Sequence, residues 1–319
     1  MKRDGIDRLS HYEGCFVGLA CGDALGTTLE FEEPGSFEPI DDMVGGGPFG
    51  LKPGQWTDDT SMALCLAASL LLKKGFDPAD QLRVYVTWWK HGEFSSTGRC
   101  FDIGNTVRSA LIEYQNTGDP YCGQMDERSA GNGSIMRLAP VAMAYANNPM
   151  IGIEKCGDSS RTTHGVLDCV DACRYFGGLI IGALNGETKE QLLSSKYSPV
   201  DDQWIETPLS ENINTIALGS FKNKQPPEIK GTGYVVKSLE AALWAFYNSK
   251  GFEDGALMAA NLGGDADTTA AIYGQLAGAY YGLGGIPVRW VNKIYKLTTI
   301  KMYAESLCDL SLSGEFCYE

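Results

Sequence analysis

Small and apolar residues recur at helical spacing along almost the whole chain. Segments with this pattern lie at 14–25, 61–73, 78–90, 105–114, 135–146, 166–184, 235–247, 252–261, 268–282 and 288–301. The spacing predicts a helix in each segment, and only short runs such as Trp204-Ile205 have the character of a strand. Glycine and alanine are frequent within these segments, which lets helices approach closely. We therefore predict a compact, all-α, multi-helix protein.

The segments between the predicted helices fall into two kinds. Glycine-rich loops at 41–50, 131–134 and 231–233 have a backbone that can approach a ligand. Residues 192–227 form the most polar and irregular segment, and they contain four prolines. This segment is predicted to be an insertion or a linker, and the helical pattern resumes after it.

Two small-residue turns, at 54–60 and 263–269, place carboxylates and threonines at the start of predicted apolar helices. One such side chain per helix is explained by capping, which satisfies free N–H groups and suits the helix dipole. A second carboxylate there costs desolvation energy and repels the first. If the turns meet, only cations can neutralise them, and an all-oxygen ligand set suits Mg²⁺ or Mn²⁺ rather than zinc. Because both turns then belong to one site, we expect residues 1–319 to form a single domain.

The net charge and the cysteine content restrict the partners and the cellular compartment that we expect for this protein. The chain has 319 residues, 44% of them hydrophobic, and 26 basic against 40 acidic residues give a net charge of −14. This balance argues against a nucleic-acid or anionic-membrane partner, and an anionic small molecule would need metal ions or backbone donors. The ten cysteines are scattered singly, which predicts reduced core thiols in a cytoplasmic protein. The charged N-terminus lacks a signal-peptide pattern, no apolar tract could span a membrane, and the absence of heptads favours a monomer.

Further motifs accompany the two acidic turns in a fixed order. In chain order they occupy residues 14–26, Glu30, 57–60, 101–106, 131–137, 163–165, 231–236 and 264–269. From about residue 14 to residue 282, this succession resembles the ADP-ribosylglycohydrolase family. The resemblance implies a compact all-α fold and a binuclear Mg²⁺ or Mn²⁺ centre. It also implies hydrolysis of the glycosidic bond between ADP-ribose and a protein side chain, with an ADP-ribosylated protein as substrate and ADP-ribose as product.

The resemblance assigns the metal ligands by matching motif. The first turn would hold one metal through Thr57, Asp58 and Asp59. The second turn would supply the ligands of the other metal and the bridge between the two metals: Asp265, Asp267 and Thr268. Two metals can hold ribose hydroxyls and a water together. Because cleavage builds positive charge at the anomeric carbon, an acidic centre suits this reaction. We expect a metal-activated water, deprotonated with help from a carboxylate, to attack that carbon, with Asp58 and Asp59 among the catalytic residues.

Two further carboxylates are predicted to be catalytic. In the family a glutamate at the position of Glu30 faces the metals or the ribose, and the alternative is a solvated loop acid. The aspartate matching Asp102 contacts the guanidinium leaving group in arginine-specific members, and a carboxylate is a natural partner for that group. Asp102 could instead cap the helix that starts near Asn105. Asp23 lies near the same turn as Glu30 and could be a local cap.

The remaining motifs predict contacts with the rest of the substrate. The loop that begins an apolar helix could hold the pyrophosphate through free N–H groups and the helix dipole, or be a plain turn: Gly131, Asn132, Gly133 and Ser134. His164 matches a motif near the ribose, where we assign it a binding or orienting role, although a lone histidine is commonly structural. Tyr234 could stack on adenine or pack at a helix start.

Three other functions fit parts of the pattern. A serine-linked or poly(ADP-ribose) hydrolase would use a similar centre with a different leaving-group pocket. A catalytically inactive structural relative would usually have lost a metal ligand, whereas every expected ligand is present here. A generic two-metal phosphoesterase leaves the 131–134 loop and Asp102 unexplained. We therefore expect an ADP-ribosylarginine hydrolase.

Overall fold

A computed structural model describes residues 7–316. The all-α prediction is confirmed, because this range forms fifteen α-helices and no β-strand. The helices are α1 (Arg8–Gly26), α2 (Asp58–Lys73), α3 (Pro78–His91), α4 (Asn105–Thr117), α5 (Ala139–Ala144), α6 (Pro149–Arg161), α7 (Leu167–Leu184), α8 (Lys189–Leu192), α9 (Gln203–Glu206), α10 (Glu211–Ala217), α11 (Val235–Asn248), α12 (Phe252–Ala260), α13 (Ala266–Tyr281), α14 (Val288–Val291) and α15 (Leu297–Ser313).

Helices α1 and α13 form an antiparallel pair at the centre of the fold, and both are buried along most of their length. On the face of α1 that contacts α13, a glycine recurs at every fourth position of the sequence: Gly14, Gly18, Gly22 and Gly26. A Cβ on any of them would overlap backbone atoms of α13. This close approach brings the C-terminal end of α1 against the N-terminal end of α13, where the second acidic turn lies.

Replacing Gly22 by alanine is expected to destabilise the fold strongly. Alanine improves helix propensity by about 1 kcal/mol, but its Cβ would overlap the carbonyl of Ala270, and overpacking of this kind costs about 1–3 kcal/mol or more. Urea unfolding should therefore show a clear loss. The control is Gly284→Ala, because a Cβ at Gly284 meets no neighbour. Equal stability of the two variants would contradict this account of the central pair.

The prediction of one continuous helix over 288–301 is wrong. Helix α14 ends at Val291, α15 begins only at Leu297, and α15 then runs to Ser313. Between them the Tyr295 amide donates to the carbonyl of Gly54, which belongs to the turn before α2. This long-range contact fixes the interruption, and the local apolar spacing does not reveal it.

Two other helix assignments also need correction. The predicted helix over 135–146 is helical only from Ala139 to Ala144, because residues 133–137 form turns. Helix α6 was not predicted. Its buried face consists mostly of small residues, Gly152, Ile153, Cys156, Gly157, Ser159 and Ser160, so the apolar period that marks a helix is faint.

The segment at 192–227 is packed against the core rather than forming a free linker. The Ser210 amide donates to Asp171 of α7, and the Ser210 hydroxyl donates to Asp168. Ile213 and Phe221 are buried. The strand-like run at Trp204-Ile205 lies in the short helix α9, so that suggestion is wrong.

The described residues also bear on the cysteine and membrane predictions. All nine cysteines within 7–316 are free, seven of them are buried, and Cys100 and Cys122 are half-buried. The tenth cysteine, Cys317, lies outside the described residues. So do residues 1–6 of the charged N-terminus, for which the sequence predicts no signal peptide. In this range no helix combines the length and apolar character that crossing a membrane requires.

Candidate metal and ligand-binding site

The first acidic turn is held in place by Asp23 of α1. One carboxylate oxygen of Asp23 accepts from the Thr57 amide at 2.8 Å and the Thr57 hydroxyl at 3.0 Å. The other accepts from the Thr60 amide at 3.0 Å and its hydroxyl at 2.6 Å. Asp23 therefore caps α2 across 34 residues of sequence, which leaves Asp58 and Asp59 free of that role. The suggestion that Asp23 is a local cap of its own turn is wrong.

The second acidic turn meets the first. The hydroxyl of Thr57 lies 3.2 Å from Asp59 Oδ2 and 3.2 Å from Asp267 Oδ2. The hydroxyl of Thr268 lies 3.4 Å from the same Asp59 oxygen. Asp265, at the N-cap of α13, makes no capping hydrogen bond and instead accepts from the Asn132 side chain at 2.9 Å. The two turns thus bring their hydroxyls and carboxylates into one cluster.

Glu30 and Asp102 join this cluster. Single carboxylate oxygens of Glu30, Asp102 and Asp267 all lie within 4.8 Å of one another, a separation that one metal ion could span. Glu30 is 5% exposed, so it is not a solvated loop acid. Asp102 does not cap α4, because its N-cap Gly104 has no side-chain capping bond. Asp102 lines the cavity together with Asp58 instead.

Burial and mutual repulsion both disfavour the ionised form of the cluster carboxylates. Burial, and then repulsion from Asp102, raises the pKa of Glu30 to about 9. Burial, and then repulsion from Asp23, raises the pKa of Asp102 to about 8. For Asp58, Asp59 and Asp267 the same causes raise the pKa well above its ordinary value: burial first, then repulsion from other carboxylates of the cluster.

Two buried oxygens of the cluster have no hydrogen-bond donor within the described residues: Glu30 Oε2 and Asp59 Oδ1. An unsatisfied carboxylate oxygen is costly in a buried position. Oxygen donors of this kind, together with two threonine hydroxyls, are the ligands that Mg²⁺ and Mn²⁺ prefer. The residues present therefore fit a divalent cation.

A cavity of about 280 Å³ lies beside the cluster. Cluster carboxylates line one side, and the start of α4 and the 131–134 loop line the rest. The first N–H groups of α4 lack helical acceptors, so they form an anion-binding end facing the cavity. The 131–134 loop does not begin a helix, contrary to the sequence prediction, because α5 starts only at Ala139. Its donors are therefore individual peptide N–H groups without a helix dipole.

His164 packs directly beneath the 131–134 loop. A Cβ at Gly133 would come 2.9 Å from the His164 ring, and one at Gly131 would come 3.4 Å from Nε2. Glycine at these positions thus lets the loop rest on the imidazole. Asn132 anchors the loop by donating to Ser238 and Asp265.

The buried imidazole predicts a specific loss of stability in acid. Burial, and then the nearby Arg137, lower the pKa of His164 to about 3, below the value of about 6.5 expected in the unfolded chain. Between these values only the unfolded state binds the proton, so the contribution of His164 is complete above about pH 6.5 and is lost as the pH falls. From pH 7 to pH 5 the loss is about 2 kcal/mol.

Urea unfolding at pH 7 and pH 5 checks this. The variant His164→Asn should lose less stability on acidification than the parent chain, by about 2 kcal/mol. The control is His91→Asn, because His91 is exposed. Parallel pH dependence in all three proteins would show that His164 is not buried in the neutral form.

Tyr234 lies outside the main cavity, in an adjoining pocket that also contains Val166 and Asp168. It is 39% exposed, and its hydroxyl donates to Asp168 at 3.1 Å. The Tyr234 backbone is bridged to Gly131. The Tyr234 backbone therefore adjoins the 131–134 loop, and its side chain is partly exposed.

Sequence reasoning missed two residues of this region. Asp23 was assigned no role in the site, and Arg137, which is fully buried behind the loop, was not considered. Asp23 acts on residues 34 and 37 positions away, and Arg137 contacts Thr163, 26 residues away, as well as the nearby Gly133. A buried acid inside a glycine-rich helix and a basic residue in the motif at 131–137 were the available signals.

Fold and site together define an all-α protein in which a buried carboxylate cluster that could hold a metal ion adjoins a cavity. The chain matches the sequence model of ADP-ribosylglycohydrolase over residues 4–315, and it belongs to this family. ADP-ribosylarginine hydrolase Tri1 from Pseudomonas putida (strain GB-1) is 44% identical over 301 residues, 94% of this chain and 78% of that protein.

Two further relatives agree with this assignment. ADP-ribosylarginine hydrolase Tri1 from Serratia proteamaculans (strain 568) is 41% identical over 310 residues, 97% of this chain and 82% of that protein. A solved structure described as an ADP-ribosylglycohydrolase-related protein complex superposes with a TM-score of 0.84 at 43% identity. It covers 96% of this chain and 99% of its own. The resemblance found in the sequence motifs is thus confirmed.

Proposed function

We propose that this protein hydrolyses the bond between ADP-ribose and an arginine side chain of a modified protein. The observation that carries the proposal is the joining of both acidic turns, Glu30 and Asp102 into one buried cluster at the wall of the cavity. Two relatives more than 40% identical are named ADP-ribosylarginine hydrolases, which supports arginine as the linked residue.

We propose that the cluster holds two Mg²⁺ or Mn²⁺ ions. The ligands would be Thr57, Asp58, Asp59, Asp265, Asp267 and Thr268, as the family motifs suggest. When bound, the ions would hold ribose hydroxyls and lower the pKa of a water. Asp23 would keep the first turn in position by its four hydrogen bonds.

The protein's own carboxylates would handle charge and protons at the reacting centre. Positive charge develops at the anomeric carbon, and the surrounding carboxylates stabilise it. Glu30, whose Oε2 has no hydrogen-bond donor among residues 7–316, would accept a proton from water. Asp102 lies at the cavity wall and also lines an outer groove with Trp89 and Arg108. From there it would bind the guanidinium and assist its departure.

The remainder of the substrate would occupy the other side of the cavity. The start of α4 and the 131–134 loop offer N–H groups to the diphosphate, which offsets the repulsion expected from an acidic protein. Tyr234 would stack on the adenine in the adjoining pocket. His164 would support the loop and contact the ligand from below.

The proposal is tested with two matched peptides, one ADP-ribosylated on arginine and one on serine, in the presence of Mg²⁺. We expect release of free ADP-ribose from the arginine peptide at a rate at least about 100-fold above that from the serine peptide, since a charge-assisted leaving-group contact is worth about 3 kcal/mol. Preferential cleavage of the serine linkage would overturn the arginine assignment and leave the hydrolase assignment intact.

A further inference from the structure

Arg137 is a fully buried cation without a carboxylate partner among residues 7–316. Its side chain is 0% exposed, and its guanidinium lies 4.8 Å above the Tyr85 ring. Buried carboxylates such as Asp171 and Glu240 pair with other cations. Burying an unpaired charge is expensive, so its retention behind the 131–134 loop calls for a compensating anion nearby.

One branch of the guanidinium fixes the loop. Nη1 of Arg137 donates to the carbonyl oxygen of Gly133. In a trans peptide the carbonyl and the following N–H point in opposite directions. Because the Gly133 carbonyl points toward Arg137, the N–H of Ser134 points away from Arg137, and the adjoining Gly133 lines the cavity. Within the described range neither the Gly133 nor the Ser134 N–H has an intramolecular acceptor.

The other branch fixes the histidine. Nη2 of Arg137 donates to Thr163 Oγ1 at 2.8 Å, and that hydroxyl lies 2.9 Å from His164 Nδ1. Arginine can only donate, so Thr163 Oγ1 accepts from Arg137 and keeps its own proton, which it can donate to His164 Nδ1. In that arrangement the neutral imidazole carries its proton on Nε2. Because His164 lines the cavity, the Nε2–H would then be a second donor available to a ligand.

We propose that Arg137 is a positioning residue for an anionic diphosphate: it presents Ser134 N–H and His164 Nε2–H to the ligand and supplies the buried positive charge that balances it. The inference rests on the proposed placement of the diphosphate at this loop. It gives an acidic protein a local attraction for an anionic substrate that does not depend on metal ions. Because the cation is buried, salt screens this attraction little.

The test compares ADP with adenosine, which lacks the diphosphate, by calorimetry in saturating Mg²⁺. The variant Arg137→Gln should bind ADP about 10- to 100-fold more weakly, the loss expected for charged hydrogen bonds, with adenosine affinity nearly unchanged. Arg137→Lys keeps the charge but loses the two-branched guanidinium. Its ADP affinity should lie between those of the parent chain and Arg137→Gln. Equal weakening of ADP and adenosine would show a merely structural role and overturn the inference.

A measurement on the unaltered protein does not depend on how the variants fold. The chain has only three histidines, so ¹⁵N NMR of the imidazoles can assign the tautomer of His164. The inference requires the proton on Nε2, and a proton on Nδ1 would contradict it. If the ADP preference depends on Arg137 while no ADP-ribosylarginine is cleaved, the proposed reaction fails and this inference stands. If ADP-ribosylarginine is cleaved but the preference for ADP over adenosine does not depend on Arg137, the proposed reaction stands and this inference fails.

Discussion

Replacement of Asp267 by asparagine is expected to abolish metal-dependent hydrolysis while the protein remains folded. Asp267 is 1% exposed. One of its carboxylate oxygens lies within 4.8 Å of oxygens of Glu30 and Asp102, and its Oδ2 lies 3.2 Å from the Thr57 hydroxyl. Losing this carboxylate removes a proposed ligand that contacts both turns. We expect kcat/KM to fall by at least about 10³-fold, equivalent to about 4 kcal/mol of transition-state stabilisation.

Stability measurements separate metal loss from misfolding. Burial and neighbouring carboxylates raise the pKa of Asp267, so asparagine relieves repulsion, and the metal-free variant should be at least as stable as the parent chain. Mn²⁺ should raise the melting temperature of the parent chain but not that of Asp267→Asn, since a ligand that binds the folded state stabilises it.

The matched control for this experiment is Asp171→Asn, which removes a buried carboxylate that is paired with Arg174 outside the cluster. It should lower stability and keep the Mn²⁺ response. Full activity of Asp267→Asn would show that the proposed ligand set is wrong.

Replacement of Asp102 by asparagine is expected to impair cleavage of the arginine linkage without preventing metal binding. Asp102 adopts a left-handed backbone conformation (φ 61°), which asparagine also tolerates. The variant loses the charge that would pair with the guanidinium, so kcat/KM should fall by about 10²-fold or more. Binding of the product ADP-ribose, which has no guanidinium, should change by less than about 3-fold.

This variant also decides between two roles for Asp102. Its position near Glu30 and Asp267 would suit a metal ligand as well as a leaving-group contact. Calorimetry with Mn²⁺ distinguishes them, because loss of a ligand would weaken the metal as in Asp267→Asn. The control is Asp309→Asn, which changes an exposed acid on α15. Joint loss of Mn²⁺ and ADP-ribose binding would rule out the guanidinium role.

Helices whose buried face carries large apolar side chains could be predicted from sequence. The segments 61–73 and 78–90 correspond closely to α2 and α3. Helix α6 could not be predicted in this way, because small residues form most of its buried face. The break between α14 and α15 depends on Tyr295 meeting the Gly54 turn, about 240 residues away in sequence. Such long-range contacts leave no periodic pattern of apolar residues in the local sequence.

The same distinction applies to the site. The acidic turns could be recognised because each places more carboxylates at a helix start than capping requires, and the structure joins them as expected. The role of Asp23 could not be seen, because its partners lie 34 and 37 residues away. The contact of Arg137 with Thr163, 26 residues away, likewise leaves no local signal in the sequence.

The most direct test of the central claim is a metal-depletion experiment on a protein ADP-ribosylated on arginine. The chain is incubated with this substrate after complete removal of divalent metal, and again after addition of Mg²⁺ or Mn²⁺, and free ADP-ribose is measured. We predict no release without metal and full release on its return. Release that persists after metal removal, or no release under either condition, would contradict the assignment of the buried carboxylate cluster as a metal-dependent ADP-ribosylarginine hydrolase site.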